Sequence, residues 1–115
     1  MKKTEIIILL AIMALAITGF AGIGTVSVGT TETTVLAASS VRTWFVLQNN
    51  SSNDIYVKVD SATNALTTTN GIKVAASGGS LVITGNTKAN PSRNAITAIS
   101  GTGTNTLTYQ EGNEN

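Results

Sequence analysis

Two aspartates flank a segment that has the alternating pattern of a β-strand. Asp54 and Asp60 stand on either side of residues 55–59, where apolar and polar side chains alternate. An extended chain of that length spans about 20 Å, which is too far for two carboxylates to act as an acid–base pair. A calcium ion bound by Asp54, Asp60 and loop carbonyl oxygens is an alternative, because Ca²⁺ takes oxygen ligands. The simpler interpretation is that both aspartates are solvated residues at strand ends.

The residue types that most enzymes need are missing. The 115 residues include no histidine and no cysteine, which excludes the commonest general base, the commonest metal ligands and any disulfide. A serine or threonine nucleophile would have no evident base. Gly78-Gly79 and the glycines at 101 and 103 are not followed by the lysine and helix of a phosphate-binding loop. We therefore expect no enzyme, no catalytic residue, no cofactor, no metal site and no small-molecule substrate.

Charge is sparse along the whole chain. Seven Lys and Arg residues oppose six Asp and Glu residues, and only 11% of the residues are charged. No basic patch is visible, so we expect no nucleic-acid partner. Serine, threonine and asparagine supply the polarity instead, a composition typical of exported surface proteins and virion proteins.

An uncharged apolar run occupies residues 6–24, directly after Lys2, Lys3, Thr4 and Glu5. As a helix it would be about 28 Å long, close to the thickness of the hydrocarbon core of a bilayer. The run predicts a transmembrane helix over residues 1–24 and a lipid membrane as partner. The residues expected in the membrane are Ile6, Ile7, Ile8, Leu9, Leu10, Ile12, Met13, Leu15, Ile17 and Phe20.

A secretory signal is the alternative interpretation of the N-terminus. Lys2 and Lys3 would form its basic region, and residues 19–21 (Gly-Phe-Ala) resemble a cleavage site. The length of the apolar run favours a retained anchor, so we predict that the intact chain keeps its first residues.

Beyond the apolar run, the sequence divides at about Ser40. Residues 25–40 alternate small apolar and hydroxyl side chains without the bulk of a core, which predicts an extended stalk. Residues 41–115 have a period of two, with turn residues at intervals of about ten, which is typical of an antiparallel β-sandwich or barrel of six to eight short strands. The three predicted hairpins join residues 41–48 to 54–60, 72–75 to 81–84, and 95–100 to 106–110.

The same alternation predicts which side chains form the core and which point outward. Trp44 and Tyr56 fall on the face opposite Phe45 and Ile55, where they could form one aromatic contact patch for a partner or a glycan. Burial of both rings by a second sheet is the alternative. The predicted core consists of Phe45, Leu47, Ile55, Val57, Val59, Ile72, Val74, Leu81, Ile83, Ile96, Ile99 and Leu107.

Residues 45–111 contain three notable stretches, VLQNNSSNDIYVKVD, TTTNGIKVAASGGSLVI and AITAISGTGTNTLTYQE. In these stretches the chain resembles small β-sandwich proteins of bacteriophage virions. The resemblance implies a structural component of a virion without catalytic activity. The apolar N-terminal run departs from that pattern, and it would suit a tailless icosahedral phage with an internal membrane.

These observations predict a membrane-anchored structural protein that links a viral membrane to the capsid or vertex. We expect homo-oligomers or contacts with capsid subunits, because some 75 residues without disulfides bury too little surface to be very stable alone. The alternative is an exported adhesion or pilus-like filament subunit in a bacterial or archaeal cell envelope. Glu5 before a long apolar helix resembles mature type IV pilins and motivates that alternative.

Overall fold

Eight β-strands and one short 3-10 helix run through residues 21–59, 64–85 and 91–113, which are the residues that the computed structural model describes. All strand pairs are antiparallel, which confirms the predicted all-β class. The strands are β1 (Ala21–Val28), β2 (Thr33–Leu36), β3 (Trp44–Asn49), β4 (Ile55–Lys58), β5 (Ile72–Val74), β6 (Gly79–Thr84), β7 (Ile96–Ser100) and β8 (Asn105–Gly112), and the 3-10 helix is Pro91–Arg93.

The strands form two four-stranded sheets. Sheet A has the order β1-β8-β3-β6, and sheet B has the order β2-β7-β4-β5. An eight-stranded double sheet with this order is a jelly roll. Six of the seven connections pass from one sheet to the other, and only β4 and β5 follow each other within a sheet.

The three predicted hairpins are wrong. β3 pairs with β6 and β8, whereas β4 pairs with β5 and β7, so residues 50–54 cross between the sheets. The connections from β5 to β6 and from β7 to β8 also change sheet. A hairpin joins two strands of one sheet, whereas an arch joins a strand of one sheet to a strand of the other. Both have the same sequence pattern, because both reverse the chain at turn residues and both bury every second side chain.

The core lies between the sheets and contains most of the predicted residues. Phe45, Leu47, Ile55 and Leu107 have no exposed surface. Ile72 is wrong as a core residue, since 45% of its surface is exposed at the end of the short strand β5. Ile99 is only half-buried and alternates with inward-facing Ala98 and Ser100. Leu66, which lies outside the strands, is a buried loop residue.

The structure also corrects the expected stalk over residues 25–40. β1 pairs with β8 over eight consecutive residues, β2 pairs with β7, and Val28, Val35 and Leu36 belong to the core. The pattern of small apolar and hydroxyl residues is that of edge strands, whose bulk is supplied by neighbouring strands.

The predicted helix extends too far, because Ala21–Val28 is a strand and residues 22–24 therefore lie in β1. The ten expected membrane residues, between Ile6 and Phe20, lie outside the described residues. Among the described residues, no helix is long and apolar enough to cross a membrane.

The antiparallel order gives the sandwich two different ends. The first residue of β1 and the last residue of β8 are paired, so β1 begins and β8 ends at one end of the sandwich, here named the terminal end. The opposite end, named the loop end, carries the connections 29–32, 50–54, 75–78 and 101–104.

Candidate functional site

Trp44 and Tyr56 lie on different sheets. Trp44 is in β3 and Tyr56 in β4, and each alternates with buried neighbours, so both side chains project from the outer faces of the sandwich. They cannot form the single aromatic patch that the sequence suggested, because the core separates them. Trp44 covers Gly112 of the adjacent strand, where an added Cβ would come within 2.6 Å of the indole ring.

The outer face of sheet A, here named the A face, carries no charge. It is formed by every second residue of its four strands, and its side chains are apolar, hydroxyl or amide groups. Its members are Ile23, Thr25 and Ser27 of β1, Thr106, Thr108 and Gln110 of β8, Trp44, Val46 and Gln48 of β3, and Ser80, Val82 and Thr84 of β6.

Exposed apolar side chains of different strands lie in one row across this face. Ile23 is 76% exposed and Val82 is 57% exposed, the two highest values among the large hydrophobic residues described. Their strands, β1 and β6, are the two edges of sheet A. The strand register places both side chains in one row, which runs Ile23, Gln110, Val46 and Val82.

The outer face of sheet B, here named the B face, is charged and partly covered. Glu32 accepts a hydrogen bond from Thr97 Oγ1 at 2.7 Å, and its carboxylate lies 2.9 Å from Lys58 Nζ. The Leu66 N–H also donates to Glu32 at 3.0 Å. The hydrogen bond from Leu66 does most to lower the pKa of Glu32, followed by Lys58 and Thr97, and the pKa falls to about 2.

Residues 64–71 cover this face. Leu66 is buried but does not belong to the core between the sheets. At Gly71 an added Cβ would lie 2.8 Å from both Leu66 and Tyr56, so these three residues meet closely on the outer side of β4. Lys58 also donates to the carbonyl of Asn64 at 2.9 Å. Glu32 and Lys58 therefore hold a loop across the B face, whereas the described residues provide no such loop over the A face.

A buried arginine fixes the terminal end. Arg42 is only 2% exposed, and its guanidinium donates to the carbonyls of Ala37, Ser92 and Asn94 and to Glu111 Oε1 at 3.3 Å. Its Cζ atom also lies 5.9 Å from the centroid of the Phe45 ring. One side chain thus joins the segments after β2 and before β7 to strand β8.

Amide side chains fix the loop end. Asn49 is fully buried and donates to the carbonyls of Asn53 and Val74. Asn53 donates to Asn105 at 2.9 Å, and Asn105 in turn donates to Ser100 at 2.8 Å. A polar depression of about 260 Å³ beside this network is lined by Asn53, Asp54, Tyr56, Thr68, Ser100, Gly101 and Thr102.

The structure gives Asp54 protein partners. One carboxylate oxygen accepts the Ala76 N–H at 2.9 Å, and the other lies 4.0 Å from Lys73 Nζ. Asp60, its expected partner in a calcium site, lies outside the described residues. Within residues 21–59, 64–85 and 91–113, no three acidic side chains come together as a metal site.

No protein family, curated protein or solved structure matches this chain.

The sequence pattern does not mark Ile23 and Val82 as surface residues, because Ile23 falls within the predicted membrane helix and residues 81–84 within a predicted hairpin. The absence of charge from β1, β3, β6 and most of β8 was a visible signal, because solvated faces usually carry charged side chains.

Proposed function

We propose that this protein is a structural subunit of a virion that contains a membrane, tethered by its N-terminal apolar run and docked to the capsid through its jelly roll. The observation that carries the proposal is the uncharged A face. A bare sheet face with exposed Ile23 and Val82 is suited to burial against another protein, because exposed apolar patches on soluble proteins mark contact sites.

The jelly-roll strand order supports the virion setting. Viral capsid subunits are among the proteins that use this fold, together with lectins and cupins. Because one fold serves many functions, this support is an analogy. The A face supplies the physical reason for an assembly role.

The position of β1 defines how the tether would be attached. Because β1 begins at Ala21, the segment available for a helix is residues 6–20, which would be about 22 Å long. A bilayer accommodates such a length by local thinning, and Lys2 and Lys3 would reach the lipid headgroups. The terminal end of the sandwich would then lie at the membrane surface without a stalk, and the loop end would point away from it.

The proposal is tested on particles released by cells that carry the gene. We expect mass spectrometry to detect the chain in purified particles, and chloroform extraction of their lipid to release it. Its intact mass should include the first residues or lack only Met1. Detection only in the cell envelope, with the chain open to added protease on intact cells, would contradict the virion role.

The alternative function is that of an exported adhesion or filament subunit. The depression beside Asp54 and Tyr56 favours it, because hydroxyl, amide and carboxylate groups around one aromatic ring suit a polar ligand such as a sugar. In that setting, cleavage after Ala21 would leave β1 almost complete, whereas cleavage before Ser39 would remove β1 and β2. A mature chain that begins at Gly22 would therefore favour export over anchoring.

A further inference from the structure

We propose that neighbouring copies of this chain pair edge to edge, with β1 of one copy beside β6 of the next, so that sheet A continues from subunit to subunit. The inference deepens the proposed function and rests on it, since it names the contact by which tethered subunits associate. The partner is a second copy of this chain.

The four edge strands of the sandwich differ in how they resist pairing. In sheet B, β2 has four residues and an irregular register between Thr34 and Leu36, and β5 has three residues, among them Lys73. Short length, irregularity and lysine are the devices that protect sheet edges. In sheet A, β1 has eight residues and β6 has six, both pair with their inner neighbours without irregularity, and neither contains a charge or a proline.

Strand direction allows this contact between copies in the same orientation. β1 runs from the terminal end to the loop end, and β6 runs back from the loop end to the terminal end. When two copies stand side by side, β1 of one is therefore antiparallel to β6 of the other. All N-terminal segments then leave from the same side, as anchoring in one membrane requires. Pairing of β1 with a second β1 in antiparallel fashion would direct the two N-termini to opposite ends.

The side chains at the two edges match when the copies are level, that is, when each row of sheet A in one copy continues into the same row of the next. Ile23 and Val82 occupy the same row of sheet A, so continuing the sheet places Ile23 beside Val82 of the next copy. These are the two most exposed large apolar side chains of the described residues, and each would cover the other.

On the inward-facing side of the same edges, glycines of one strand share rows with larger residues of the other. Gly22 and Gly24 of β1 share rows with Ile83 and Leu81 of β6, while Val26 shares a row with Gly79. In the level arrangement each glycine thus lies beside a large residue of the neighbour, and each large residue beside a glycine. Tyr109, whose hydroxyl lies over Gly24, would contact the neighbour's Leu81.

A contact along one strand is small, and the tether compensates for this. Anchoring confines the copies to a membrane surface and raises their effective concentration without any new contact. Because the two edges are different surfaces, the contact is heterologous and makes rings where the rotation between copies closes.

Cysteine cross-linking tests the proposal, because the natural chain has no cysteine. The full-length chain carrying both Ile23→Cys and Val82→Cys is oxidised in membranes of expressing cells and examined on a non-reducing gel. Within one copy these positions are three strands apart, about 14 Å, too far for a disulfide. We expect a ladder of multimers that a reductant collapses, and no dimer from either single variant.

Two control variants test whether cross-linking depends on the strand register and on the edges of sheet A. Thr25→Cys with Val82→Cys shifts the pair by two residues, and we expect about fivefold less product because disulfide geometry is strict. Gln48→Cys, on an inner strand of sheet A, should give none.

Two lysine variants test the same contact without cross-linking. Ile23→Lys should abolish oligomers, whereas Thr34→Lys on the edge of sheet B should not.

The other outcomes overturn the inference in different ways. A dimer from Ile23→Cys alone would show pairing of two β1 strands, and a dimer from Gln48→Cys would show stacked faces. No product from the double variant in a chain that sediments as an oligomer would also overturn it. In these cases the assembly role survives, whereas a chain that is monomeric in membranes and absent from particles would overturn both proposals.

Discussion

Sheets A and B have the same number of strands and enclose one core, but their outer surfaces differ. The A face has no charge, long edge strands and exposed Ile23 and Val82. The B face has short edges, the Glu32–Lys58 ion pair and a covering loop that contains Leu66. Among the described residues, the chain thus covers the outer side of sheet B with its own loop and leaves the outer side of sheet A bare.

The largest expected effect is the loss of folding when β1 and β2 are removed. A chain that starts at Val41 lacks β1 and β2, and with them Val28, Val35 and Leu36. Each buried aliphatic side chain contributes about 1.5–3 kcal/mol, against a total stability of about 5–15 kcal/mol for a small domain. We expect that chain to remain unfolded by circular dichroism, whereas a chain that starts at Ala21 unfolds cooperatively on heating. Cooperative unfolding of both chains would show that residues 41–115 fold without β1 and β2, as the sequence alone predicts.

That boundary shows what alternation in a sequence does and does not determine. A period of two identified the inward-facing apolar residues of β3 and β4 and Leu107 of β8, because it depends only on local strand geometry. It did not assign strands to sheets, since Asn-rich and Gly-rich turns allow an arch as readily as a hairpin. The apolar run concealed the start of β1, because Ala, Gly and Ile are compatible with a membrane helix and with an edge strand.

Arg42 was equally hidden in the sequence, where it is one charged residue beside a strand. Its burial depends on carbonyl groups of residues 37, 92 and 94, which only the jelly-roll topology brings together. No local pattern could have predicted that arrangement.

Arg42→Met should have the next largest effect, because this residue joins sheet A to segments that lead into sheet B. Removing the guanidinium leaves three carbonyls and Glu111 without their donor, and loss of one partner of a buried ionic network costs about 3–5 kcal/mol. Urea denaturation should show this loss. Lys73→Met, which removes an exposed charge 4.0 Å from Asp54, is the control and should cost at most about 1 kcal/mol. Equal losses in the two variants would contradict a special role for Arg42.

The B face should depend on pH through Glu32. Its pKa is lowered from 4.5 to about 2, so the folded state favours the carboxylate. The resulting stability is fully present above about pH 4.5 and is lost as the pH falls through about 2. We expect the melting temperature to decline over that window, with earlier proteolysis between residues 64 and 71. Glu32→Gln should lower the melting temperature at pH 7 and flatten the decline, and an unchanged profile would exclude this carboxylate as its cause.

The smallest effect on stability is expected from Gln48→Lys, which tests whether the A face is used in assembly. Gln48 is an exposed residue near the end of β3, an inner strand of sheet A. A lysine there keeps its contact with water and changes the stability of the isolated subunit by less than about 0.5 kcal/mol. Edge pairing between copies should persist, because neither β1 nor β6 is altered. Docking of the A face against a capsid would bury the new charge, and incorporation into particles should fall about tenfold, equivalent to about 1.4 kcal/mol. Thr34→Lys adds the same charge on the other side and should be incorporated normally. Normal incorporation of Gln48→Lys would contradict docking of the A face against a capsid and would leave the proposed edge pairing unaffected.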